Sequence, residues 1–99
     1  MRKIIITDKA KINIINIFDY LELKWNLKVK TKFAFKLNEM IKLIKINPDI
    51  FPISEKNKRL RKCVVTKQST LYYSFNSNQI IIVSLFDTRQ DPKKIKKIK

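Results

Sequence analysis

The stretch TLYYSFNSNQIIIVSLFD, residues 70–87, holds two runs rich in β-branched and aromatic residues, split by the polar break Asn76-Ser77-Asn78. That composition on either side of three turn-forming residues is the pattern of two antiparallel strands. Just upstream, RLRKCVV (residues 59–65) reads as a third strand, set off by TKQS, so the three form an antiparallel meander. The chain has no glycine. The tight turn is therefore expected to rely on asparagine, the next residue type most tolerant of positive φ. Within TLYYSF, Leu71, Tyr73 and Phe75 alternate with Tyr72 and Ser74, which sends the two tyrosines to opposite faces of the sheet. One belongs to the core; the other either packs beside strand neighbours or is placed to stack on a base or pass a proton.

Outward from the meander, the N-terminal half changes period. Lys3 to Thr7 reads as a short strand, with Thr7 or Asp8 capping the helix that follows. In that helix, running to about Asn26, Ile14, Ile15, Phe18, Leu21 and Trp25 recur at three- and four-residue steps and are expected to face the core. A second helical pattern follows in Val29, Phe33, Leu37, Met40, Ile41 and Ile44, and Asn47-Pro48 ends it because proline pushes the preceding residue out of helical dihedrals. Two helices with a short break make an antiparallel hairpin. The expected fold is α+β: a short N-terminal strand, a helical hairpin over about 8–47, an irregular connector over 48–57, a three-stranded antiparallel meander over 58–87 forming one sheet, and a basic tail over 90–99.

A chain of 99 residues has room for one domain and one main site. It carries 23 Lys+Arg against 8 Asp+Glu, a formal net charge of +15. Codon usage rich in A and T explains abundant Ile, Lys and Asn, and trades Arg for Lys, but it does not create an excess of bases over acids. The charge favours a polyanionic or acidic partner. One cysteine, Cys63, rules out an intrachain disulfide and reads as a small core residue. The opening MRKIIITDKAK has too short an apolar run for a signal-peptide core, and no run nears the ~20 residues of a membrane span, so a cytoplasmic protein without membrane contact is expected.

Basic residues gather at Lys56, Lys58, Arg59, Arg61, Lys62 and Lys67, along the first meander strand and its ends, and again at Arg89, Lys93 and Lys94 after the last strand. Side-chain alternation would put Arg59 and Arg61 on one face, expected to be the face without helices, where guanidiniums match phosphate oxygens. A merely solvated basic face fits the same pattern. With no histidine, one cysteine and no glycine, His-based triads, His or thiolate metal sites and Gly-rich phosphate loops are excluded, and neither a metal nor a cofactor is expected.

LRKCVVTKQSTLYYSF followed by IIIVSLFDTRQDP, after a strand and a helical hairpin, resembles the RelE/ParE superfamily of toxins from bacterial type II toxin-antitoxin modules. The resemblance covers nearly the whole chain and is sharpest at FDTRQDP, where members often set an arginine past the last strand and a proline soon after. It implies a toxin that inhibits growth until a cognate antitoxin neutralises it. In the ribosome-dependent ribonuclease branch, basic strand residues and that arginine surround the scissile phosphate of an mRNA on the ribosome. The matching positions are Arg59, Arg61, Lys62 and Arg89, with Tyr73 or Tyr72 as stand-in for an acid/base group, and with Lys58, Lys67, Lys93 and Lys94 extending the binding surface. Active members of that branch usually carry a tyrosine or histidine soon after the arginine, whereas this chain reads QDPKKIKKIK. That departure leans towards the branch that poisons DNA gyrase, or another non-ribonucleolytic action. A non-toxic basic nucleic-acid-binding module stays open as a third reading. The implied antitoxin would fold a disordered segment onto the toxin, apolar anchors along helices or sheet and acidic residues over the basic face. Arg89→Ala would then remove ribonuclease toxicity while largely sparing antitoxin binding.

Overall fold

The computed structural model describes residues 2–89, which run β1 (Lys3–Ile6), α1 (Asp8–Lys24), α2 (Leu27–Ile46), β2 (Arg61–Val64), β3 (Ser69–Phe75) and β4 (Gln79–Asp87). The four strands form a single sheet in the order β1-β4-β3-β2. β2, β3 and β4 are the antiparallel meander, and β1 joins it parallel to β4, so the sheet is mixed. The basic tail, with Pro92, Lys93 and Lys94, lies outside the described residues.

The helices start where their caps dictate. The Thr7 hydroxyl accepts from the Ala10 amide and Asn26 Oδ1 from the Val29 amide, each satisfying a first-turn donor with no helical partner. α1 buries Ala10, Ile17 and Leu21, with Ile14 and Phe18 packed alongside, while α2 buries Phe33, Leu37 and Ile44. Phe18 meets Phe33 edge-on at 6.2 Å, and Lys30 pairs with Glu22 at 2.8 Å across the hairpin. Ile15 and Trp25, expected in the core, are exposed. Ile15 lies about one 100° step beyond Ile14, outside the apolar stripe, and Trp25 follows the last helical residue.

One irregularity decides what the last strand presents. Between Tyr72/Ser84 and Tyr73/Ile82 the register skips Val83, a bulge in β4. Ile80 and Ile82 face the helices before it; after it the phase inverts, and Leu85 and Asp87 face them. The cap and second turn of α1 secure this kink. Thr7 donates its hydroxyl to the Val83 carbonyl, and Asn13 Oδ1 accepts from the Leu85 amide.

The β3–β4 turn departs from the expectation of positive φ: no described residue has one. Asn76 works through its side chain instead, Oδ1 accepting from the amides of Asn78 and Gln79. Asparagine substitutes for glycine here by satisfying turn donors rather than by adopting a left-handed backbone.

Candidate functional site

The candidate residues fall into three places. Arg61 opposes Tyr73 across β2 and β3, and shares its face with Cys63, a core residue. It therefore sits on the helix side of the sheet, not the helix-free side expected for it. Its Nη1 donates to the carbonyls of Phe51 at 2.8 Å and Asp49 at 3.3 Å, Nη2 reaches Asp49 Oδ1 at 3.2 Å, and the guanidinium lies 5.5 Å from the Phe75 ring centre. Tyr73 is the buried tyrosine of the pair, its hydroxyl donating to the Pro48 carbonyl at 2.6 Å. Burial drives its pKa up to about 12, against the lowering influence of Arg61. Both side chains thus fasten the 47–60 connector to the sheet. Arg59 lies in a turn outside β2 and is exposed, so it does not share a strand face with Arg61.

Arg89 occupies the second place. Asp87, almost wholly buried, accepts from the Ser69 hydroxyl at 2.6 Å, from the Arg89 amide at 2.8 Å, and from Arg89 Nε and Nη2 at 3.2 and 2.9 Å. Thr66 donates in turn to Ser69 Oγ at 3.0 Å. Burial pushes the Asp87 carboxyl upward, but the bonds from Arg89 and Ser69 outweigh it and hold the pKa below the usual carboxylate value. Asp87 opposes Ser69, four residues along β3 from Tyr73, so Arg89 and Arg61 lie towards opposite ends of β2, ~13 Å apart along the strand direction. The two basic groups meet only in part: the turn holding Lys67 is beside Arg89, through the Thr88 amide and the Gln68 carbonyl, whereas Lys58 and Arg59 stay at the Arg61 end.

The third place is the helix-free sheet face. There Lys62, Tyr72 and Ser84 align across β2, β3 and β4, with Val64, Thr70 and Phe86 as the next row. Lys62 and Tyr72 are half-buried neighbours at one register position. Sequence reasoning missed the anchoring acids Asp49 and Asp87.

Among the described residues there is no group of three or more His, Cys, Asp or Glu able to hold a metal, and no helix long and apolar enough to cross a membrane. Cys63 is buried and its thiol is pushed up to about 11 by that burial, only partly offset by Lys36. It is expected to resist a disulfide-exchange reagent at pH 8 while folded and to react freely once denaturant is added. Fast labelling of the native protein would show that the sheet opens around it.

A single sheet of this order, backed by a helical hairpin between its first strand and its meander, defines the RelE/ParE-like α+β class. A family model described as the ParE toxin of the type II toxin-antitoxin system parDE matches residues 4–92, and the chain belongs to that family, a type II toxin of the RelE/ParE superfamily. Solved structures share the fold. A chain of the chromosomal ParDE system from P. aeruginosa superposes with a TM-score of 0.74 at 17% identity, covering 88% of this chain and 96% of that one. YafQ from E. coli gives 0.61 at 12% identity, covering 90% and 96%. The YoeB dimer from Staphylococcus aureus gives 0.60 at 19% identity, covering 86% and 94%. No curated protein matches the chain in sequence.

Proposed function

We propose that this toxin arrests growth by a ParE-like, non-ribonucleolytic action on DNA gyrase in the cytoplasm, and that a cognate antitoxin neutralises it. The observation that carries the reading is the dispersal of the residues a ribonuclease would need. Cleavage requires arginines around one phosphate together with a group that takes the 2′-OH proton. Here Arg61 is spent on Asp49 and the connector carbonyls, Tyr73 gives its hydroxyl to Pro48, and Arg89 stands towards the other end of β2, away from both. Among the described candidates, what remains for target contact is the row of Lys62 and Tyr72 with the turn cations Lys58, Arg59 and Lys67. An antitoxin partner is supported by the family and by YafQ, which is solved in complex with DinJ.

One observation favours ribosome-dependent mRNA cleavage as a second reading. Lys62 stands directly opposite Tyr72 on the helix-free face, a cation beside a phenol that could steady a phosphate and move a proton. Induction in growing cells, with mRNA 5′ ends mapped in the same cultures and purified gyrase assayed for supercoiling, separates the two. The expected result is arrest with intact mRNA and inhibited gyrase. Arrest with codon-phased new ends would replace the first reading by the second, and no arrest would leave the basic nucleic-acid-binding module.

A further inference from the structure

The C-terminal part of α2 and the residue before β1 border a cleft of about 480 Å³, lined by Arg2, Lys42, Lys45 and Ile46. It shares no residue with the Lys62 and Tyr72 row or with the basic groups that the sequence sets apart. Lys42 and Lys45 stand three residues apart on α2 and so project side by side, both exposed and without an ion-pair partner among the described residues. Arg2 Nε donates to the Asn76 carbonyl at 2.7 Å, and the guanidinium lies 5.4 Å from the Phe75 ring centre. Those two contacts fix its plane and leave Nη1 and Nη2 without a partner among the described residues. A fork oriented in advance loses little further freedom when it grips an anion. The carbonyl end of α2 opposes an anion with roughly half a charge, against three full positive charges in the lining.

We propose that this cleft is a contact for duplex DNA, in which Arg2, Lys42 and Lys45 hold backbone phosphates without regard to base sequence. The chemistry of the lining selects that occupant. Every polar side chain in it is donor only, which suits phosphate oxygens and leaves the donors of base edges and sugars without a partner. Among the described residues no aromatic ring lines the cleft for the bases of a single strand to stack on, because Phe75 lies under Arg2 and Arg61, 5.4 and 5.5 Å from their guanidiniums. Ile46 is the one apolar side chain in the lining and is 81% exposed, too shallow a seat for the buried anchor that an acidic protein would bring. The inference goes beyond the gyrase reading, and its test needs only the full chain and DNA.

Fluorescence anisotropy with two labelled duplexes of unrelated sequence, each about 20 base pairs, tests it between about 50 and 200 mM salt. The wild type is expected to bind both equally. Lys42→Gln/Lys45→Gln, at exposed positions, should weaken binding roughly 10-fold at the lower salt and reduce the slope of log K against log salt by about 2. Lys24→Gln/Lys28→Gln removes the same charge near the other end of α2, about 26 Å along the helix from Lys45, and should change the affinity by less than about twofold. Arg2→Lys keeps the charge but loses the fork, and should weaken binding about threefold with the slope unchanged. A cooperative thermal melt of each variant separates loss of contact from loss of fold. Equal losses from the two lysine pairs would overturn the proposal, because net charge alone would then draw the DNA in. So would no binding by the wild type, a preference between the duplexes, tighter binding of a single strand, or displacement of the DNA by polyglutamate at equal charge concentration.

Discussion

Replacing Asp87 with alanine is expected to cost about 3 kcal/mol of stability, because removing one member of a buried ion pair strands the other. The loss is no larger because Arg89 keeps a quarter of its side chain in water. For a domain of this size the unfolding midpoint should fall by roughly 12–24 °C in a thermal melt. The same carboxylate sets the acid limb of stability. Its folded pKa lies below its unfolded value of 3.8, so its contribution is fully present above that value and is lost as the pH falls through the folded pKa. With no histidine in the chain, the wild type should be nearly flat in stability from about pH 5 to pH 8 and then drop steeply in acid. Asp87→Asn should lower the plateau and shrink the acid drop together. A midpoint within about 4 °C of wild type for Asp87→Ala would show that water serves Arg89 as well as Asp87 does.

The fold was legible because its signals are local. Period-two runs around Asn76-Ser77-Asn78, the Thr7 cap and the Asn47-Pro48 stop each follow from residue types a few positions apart, and together they leave one sheet with one helical hairpin on it. The direction in which charged side chains point was not legible, because it depends on two features without local signature. The Val83 bulge inverts the phase of β4 and turns Asp87 inward, where simple alternation from Ile80 and Ile82 would turn it out. The connector folds back over the Arg61 end of β2, with Pro52 accepting from the Lys62 amide and Ser54 donating to Leu60, so Arg61 finds acceptors that lie 10 and 12 residues away in the chain. A basic residue on a strand reads the same in sequence whether it holds a loop or faces a target. Lys62 and Arg61 are adjacent and lie on opposite faces of the sheet.

Tyr73 bears most directly on how the toxin acts, and two substitutions separate its structural and chemical readings. Tyr73→Ala removes a fully buried ring that meets Phe51 edge-on at 6.5 Å and lies 6.5 Å from Phe75, and should cost about 3–5 kcal/mol, enough to leave much of the protein unfolded at 37 °C. Tyr73→Phe keeps the ring and strands only the Pro48 carbonyl, for about 1–3 kcal/mol by urea unfolding. The phenol's folded pKa of about 12 lies above its ordinary value of 10.0, so the stability it contributes is present below pH 10 and is lost as the pH rises through 12. Tyr73→Phe should remove that alkaline loss while leaving the one Cys63 causes as the pH rises from the thiol's ordinary value of 9.0 through about 11. Growth arrest should survive Tyr73→Phe, since a hydroxyl enclosed by the core and bonded to a carbonyl touches no target. If arrest vanishes in a variant that still melts cooperatively, the hydroxyl takes part in chemistry, the connector must swing away from Pro48 to expose it, and the ribonuclease reading gains the proton carrier it otherwise lacks.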